Sequence, residues 1–248
     1  MAGNTSEAGR VADALRAEIM SGALPDGAKL PSLSTLATTY GVTVDIARQA
    51  VGILRAERLV VTRHGTGAFV SRFPLIVRRS PERLARARWE AGEAIQDADT
   101  GPRPRTVDVV VTEVAAPQDV AEALDIPAGA MVLSRSRRFV VDGRPVQLST
   151  SYLPLDLVRG TPITYTDTGP GGVYARLADL GHGPVRFVER IAARAPYPAE
   201  REALEMQVGG ALVYEITRAA YDDTGRCVEV NRMILDAAAY ELEYAFDA

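Results

Sequence analysis

The stretch from Leu30 to Val70 constrains the fold more than any other part of the chain. Leu30-Pro31-Ser32 precedes Leu33, Leu36, Ala37 and Tyr40 at helical spacing, and Gly41 follows. Ser32 is a natural N-cap for a short helix, and Gly41 a left-handed C-cap. Thr43 then caps a further helix reaching about Arg58, with Val42 and Ala47 placed as a hydrophobic staple and Ala47, Ala50, Val51 and Leu54 as its apolar face. Two short helices around a tight glycine turn make a helix-turn-helix. An earlier helix with Val11, Ala12, Leu15 and Ile19 on one stripe ends at Ser21-Gly22. After the third helix come two β-branched runs, Leu59–Arg63 and Ala68–Val70, around His64-Gly65-Thr66-Gly67. They predict a β-hairpin, and a helix-turn-helix followed at once by a hairpin is a winged helix.

Charge is consistent with a polyanionic partner for this region. Residues 1–80 carry ten basic and six acidic side chains, so a +4 segment precedes a −8 remainder and the whole chain is −4. A helix is the element that fits the major groove, and glycines let a wing approach phosphates closely. On this reading Thr43, Val44, Asp45 and Arg48 open the helix that enters the groove. Val44 suits a thymine methyl. Asp45 either accepts from a cytosine amino group or is a solvated acid at a helix N-terminus. Arg48 is a DNA contact or a surface ion pair. Arg63, His64, Gly65, Thr66 and Gly67 form the wing, or else a purely structural turn.

Residues 11–70 resemble the winged helix of the GntR family. The matching stretches are AEIMSGALPDGAKLPS, LATTYGV, RQAVGILRAERLV and RHGTGAFV. The resemblance implies DNA contacts from Ser32, Ser34 and the residues above. Leu33 and Ser34 stand where the family has an acid and a basic residue, and Val44 where it has an arginine.

From Arg78 to Thr106 the chain reads as a linker, with a helix from Pro81 to about Gln96. Its basic cluster (Arg78, Arg79, Arg83, Arg86, Arg88) is either a solvated face or an added phosphate contact. From residue 106 on, strands alternate with short helices. Hairpin signals lie at Asp142-Gly143 and Asp222–Gly225, which argues for an α+β domain with a mostly antiparallel sheet. Leu133–Arg137, Asp142–Val146, Ser151–Pro154, Gly181–Pro184 and the Arg218, Tyr221, Gly225 and Val228–Val230 positions resemble, in this order, the UTRA ligand-sensing domain. That domain is similar to chorismate lyase and accompanies the winged helix in the HutC branch of GntR regulators. The expected organisation is a winged helix over 1–71, a linker over 72–105 and an effector-binding and dimerisation domain over 106–248.

The resemblance places a small anionic effector at Arg135, Arg137 and Glu229, with Gly171 and Gly172 ahead of a helix as a backbone cradle. Two guanidinium groups fork onto carboxylate or phosphate oxygens, and a carboxylate accepts from hydroxyls or an amine. The competing view pairs Arg135, Arg137, Glu189, Arg218 and Glu229 across the sheet as solvated ions. The implied protein is a cytoplasmic homodimeric repressor that needs no cofactor and leaves double-stranded operator DNA when the effector binds. Two alternatives are a small-carboxylate lyase or hydrolase using the second domain, and a DNA-binding protein whose second domain only dimerises. No apolar run approaches the ~18 residues of a membrane span, and the N-terminus lacks a signal pattern. One cysteine, Cys227, precludes an internal disulfide. With only His64 and His182 beside it, a zinc cage would have to borrow carboxylates.

Overall fold

The computed structural model describes residues 6–57, 59–63, 66–70, 75–206 and 211–246. They fall into two compact units, one ending before residue 74 and the other following it.

The first unit has three helices, α1 (Glu7–Ser21), α2 (Leu33–Tyr40) and α3 (Val44–Ala56), then strands β1 (Val60–Arg63) and β2 (Gly67–Val70). Side-chain caps start each helix. Ser6 accepts from Gly9 N–H, Ser32 from Thr35 N–H and Thr43 from Ile46 N–H. Gly22 and Gly41 end α1 and α2 in the left-handed region, as a residue without Cβ does at no steric cost. Val11, Ala12, Leu15 and Ile19 of α1 pack with Leu36 of α2, the predicted face of α3, Val60 and Val70 in one apolar core. β1 and β2 pair antiparallel from Val60↔Val70 to Arg63↔Gly67. The predicted winged helix is therefore present. Of its wing turn, His64 and Gly65 lie outside the described residues.

The second unit is built around a six-stranded antiparallel sheet. Its strands are β4 (Arg105–Ala115), β5 (Met131–Val141), β6 (Arg144–Pro154), β7 (Arg186–Arg194), β8 (Val213–Tyr221) and β9 (Cys227–Asp236), in the order β4-β5-β6-β9-β8-β7. Helix α5 (Gln118–Leu124) covers one face with Val120, Ala121 and Leu124, against Val132 and Val230. The other face lies under α6 (Leu155–Val158), α7 (Gly172–Asp179) and the segment after residue 75. Hairpins form at both predicted turns.

The expected linker over 72–105 and its 81–96 helix need correction. Ile76–Ser80 is a strand, β3, paired in parallel with β10 (Tyr240–Tyr244), from Ile76↔Tyr240 to Ser80↔Tyr244. Between β3 and β4, among the described residues, the expected long helix is replaced by two short 3-10 turns and the five-residue α-helix α4 (Arg86–Glu90). Its Trp89 is buried edge-on against Tyr174 and Phe187, with ring centroids 5.3 and 6.1 Å away. Burying the one tryptophan removes far more apolar surface from water than a solvated connector would. This segment is part of the second unit's core.

Candidate functional site: a nucleic-acid interface and a buried ionic sheet face

On the first unit, the caps place the N-terminal end of α3 at the surface. Val44, Asp45 and Arg48 are all exposed there, the orientation a groove-reading helix requires. Asp45 and Arg48 form an ion pair three residues apart. The salt-bridge and solvated-acid alternatives thus both describe this structure, and both side chains keep most of their surface free. Thr43 is occupied as a cap. The Ser32 hydroxyl bonds the Ser34 and Thr35 hydroxyls at 2.8 and 2.7 Å besides capping α2. Gly67 has φ +117°, which favours glycine, and Thr66 beside it is exposed. Arg63 closes the wing ladder through its backbone.

The basic cluster at 78–88 is divided between buried and exposed ion pairs. Arg78 is buried on Glu189, and Arg83 lies 3.4 Å from the buried Asp99. Arg79 pairs with Glu243 at 3.2 Å, Arg86 with Glu90 at 2.6 Å, and Arg88 with Glu82 and Glu93 at 2.9 and 2.8 Å. Every guanidinium there already has a carboxylate.

On the second unit, strand register gathers the expected effector residues on one sheet face. Arg135 pairs with Ser151 and Arg137 with Ser149 across β5–β6; Ser151 pairs with Asn231, Asn231 with Arg218, and Arg218 with Glu189. Alternation of side chains puts all of these on the same side, together with Glu229. With Arg78 and Arg83 above them, five guanidinium groups meet three carboxylates, Asp99, Glu189 and Glu229. Tyr174 of α7 donates its hydroxyl to Glu229 Oε2 at 2.6 Å, and Arg218 Nη2 is 3.8 Å from the same oxygen. Arg218 also reaches Glu189 at 4.0 Å and lies over the Tyr174 ring, 5.5 Å from its centre. These pairs are buried, so the solvated view of them fails.

Arg135 and Arg137 behave differently. Arg135 donates to the carbonyls of Ile163 (2.5 Å), Tyr165 and Thr166 (3.1 Å), which fastens the 163–166 loop to the sheet. Arg137 donates to Ser151 Oγ at 2.9 Å. Among the described residues neither forms an ion pair. Burial and the neighbouring Arg137 pull Arg135 down to about 10. Burial also lowers Arg137, against the pull of Glu229. For Arg218 burial acts downward too, but Tyr174, Glu229 and Glu189 outweigh it and the net direction is up. Burial pushes the Tyr174 hydroxyl well above the ordinary tyrosine value, so it stays a donor.

Gly171 and Gly172 do not offer a free cradle. Gly171 N–H donates to Gly92 O at 3.0 Å and Gly172 N–H to Gly169 O at 3.1 Å. A Cβ at Gly171 would run into the Trp89 carbonyl and Ala175, so this glycine lets α7 sit against α4. Two residues outside the expected effector set have polar roles. Tyr174 holds Glu229. His182 Nδ1 bonds Asp222 at 2.8 Å, and Asp222 also ties the β8–β9 turn through Thr224 and Arg226. The first had no sequence signal, because a tyrosine on an apolar helix face reads as core. Among the described residues no cluster of His, Cys, Asp or Glu could hold a metal ion, and no helix is long and apolar enough to cross a membrane.

Comparison with known proteins agrees with this two-part geometry. Residues 7–70 match the gntR family of bacterial regulatory proteins, and residues 99–241 match the UTRA domain. An HTH-type transcriptional regulator of Streptomyces coelicolor is 28% identical over 88% of this chain and 84% of its own length. An HTH-type transcriptional repressor of Salmonella typhimurium is 24% identical over 72% of this chain and 71% of its own. The crystal structure of a protein described as a GntR-family transcriptional regulator superposes with a TM-score of 0.63 at 28% identity, covering 98% of both chains. None of these gives support to the lyase or hydrolase alternative. The chain belongs to the GntR family of bacterial regulatory proteins, in the form that joins a DNA-binding helix-turn-helix to a ligand-binding UTRA domain, and it is a transcriptional regulator rather than an enzyme.

Proposed function

We propose that this regulator is a cytoplasmic homodimeric repressor of the HutC branch, released from a two-fold operator by a small anionic effector. Its DNA-binding part covers residues 1–71, and its effector-binding part begins at β3 rather than at residue 106. Val44, Asp45 and Arg48 read base edges, with Arg48 aimed by Asp45. Ser32, Ser34, Arg63, His64, Gly65, Thr66 and Gly67 line the backbone contacts. The assignment of repression is drawn from the Salmonella relative, a transcriptional repressor.

The observation that carries the effector reading is the charge imbalance on the sheet face. Arg135 and Arg137 sit together, with backbone carbonyls and one hydroxyl as their partners. Guanidinium groups in a desolvated place are stabilised by an anion, and two of them fork onto a carboxylate or phosphate. Glu229 faces the polar end of the effector, while Gly171 shapes the site by seating α7 and Gly172 opens that helix. The decisive experiment is a melting-temperature screen of small carboxylates and phosphate esters on wild-type, Arg137→Ala and Glu229→Gln protein. Each is then assayed for release of the duplex that the wild-type protein selects at ~150 mM salt, where non-specific binding is screened. A compound that stabilises the wild type, loses its effect in both variants and frees the DNA is the expected result. Equal stabilisation of all three proteins refutes the site.

One observation favours a second reading, in which the domain only dimerises. Glu229 is already satisfied by Tyr174, and Arg135 by three carbonyls. Under that reading no anion in the screen shifts the wild-type melting temperature, while DNA binding is intact.

A further inference from the structure

Lys29 is the single lysine among 248 residues; every other Lys or Arg position is arginine. It precedes the Leu-Pro-Ser loop and carries no signal in the helix-turn-helix pattern. In the structure, residues 27–30 run alongside β2 and make a single isolated bridge to it. Gly27 N–H donates to Val70 O at 3.0 Å, Leu30 N–H to Ala68 O at 2.8 Å and Val70 N–H to Ala28 O at 2.8 Å, and Lys29 bridges to Phe69. The backbone is therefore fixed while the side chain is exposed. That side chain runs across the face of Gly67, where an added Cβ would meet Lys29 Cε at 3.0 Å. The ammonium stands 6.0 Å from the centre of the Phe69 ring. Among the described residues no carboxylate pairs with it, whereas Arg16 is held by Asp13 and Glu57, and Arg48 by Asp45. Four residues further on, the first turn of α2 opens at the surface with the hydroxyls of Ser34 and Thr35.

We propose that Lys29 is a phosphate-binding residue of the DNA interface, reaching the duplex backbone across Gly67, which leaves its path clear. The proposal rests on the reading that the wing lies on DNA. An ammonium is a compact, hydrated point charge without the fork geometry of arginine, so it suits a backbone contact that carries no sequence information. The absence of a side chain at 67 then has two reasons, the positive φ and the room that Lys29 needs.

The test uses the full chain and a duplex recovered by wild-type protein from a random-sequence pool at 150 mM salt. Affinity is measured from 50 to 300 mM salt for wild type, Lys29→Ala and Lys29→Arg. For each Lys29 in the complex, the slope of log K against log salt becomes shallower by about 0.9 in the alanine variant, and affinity at 0.1 M falls about 8-fold. The order of preference among single-base variants of the duplex stays the same, and arginine restores the slope. Acylation of Lys29 by an amine-reactive ester, mapped by peptide mass, slows when the duplex is bound. An unchanged slope in Lys29→Ala overturns the proposal while leaving the DNA-binding reading intact. Failure of the wild-type protein to recover any duplex overturns both.

Discussion

Among the described residues, the first unit buries only apolar side chains: Val11, Leu15, Ile19, Leu36, Leu54 and their neighbours fill its core, and its charges stay at the surface. The second unit buries Arg78, Arg83, Arg135, Arg218, Glu229, Asn231 and Asp236, with serines and Gln147 among them. Desolvated ions cost several kcal/mol each unless paired, so such an interior does not arise for stability. A unit that presents a helix to DNA needs its chemistry outside and can keep a simple core. A unit that binds a small-molecule effector needs its chemistry inside.

Predictions follow this contrast, beginning with the largest effect. Glu229→Ala strips Arg218 and Tyr174 of their shared partner and lowers the stability of the second unit by about 3–5 kcal/mol. Urea unfolding followed by fluorescence reads that unit alone, because Trp89 is the only tryptophan. A loss under 1 kcal/mol would mean that the ionic face is solvated and the contrast false. Leu54→Ala in the first unit removes apolar contacts without exposing a charge, and costs about 3 kcal/mol, read by far-UV circular dichroism.

Asp222 provides a pH-dependent test. Hydrogen bonds from Thr224 and His182 outweigh burial and hold its carboxyl down to about 2. The unfolded value is about 3.9, so the stabilisation is complete above that pH and is lost as pH falls towards the folded value. The melting-temperature gap between wild type and Asp222→Asn therefore narrows between pH 4 and pH 2.5. The smallest stability effect belongs to the exposed pair on α3. Asp45→Asn changes stability by about 0.5 kcal/mol or less, yet alters which duplexes the protein selects, because Arg48 loses its tether. Unchanged selection would remove Asp45 from the reading set.

Sequence reading succeeds where the determining interactions are local. Ser32, Gly41 and Thr43 act on backbone groups within a few positions, so helix ends in the first unit are legible to within a residue or two. The hairpin at Asp142-Gly143 is legible for the same reason. The segment from 76 to 100 is different. Its basic, alanine-rich composition reads as a solvated connector, because nothing near Ile76 announces a parallel partner at Tyr240. Arg135, Arg137 and Glu229 were brought to one face as the resemblance implies. That Arg135 is fastened to the 163–166 carbonyls, and that Tyr174 holds Glu229, depend on contacts between remote segments that no periodicity encodes.

The pairing of β3 with β10 also has a consequence for synthesis. On the ribosome, Ile76 emerges about 160 residues before Tyr240. At 5–20 residues per second that is roughly 8–30 s, during which the winged helix can fold by itself. The strand that leaves it has no parallel neighbour throughout that interval. A polypeptide released before residue 240 would carry a complete DNA-reading head on a body whose connecting strand is unanchored.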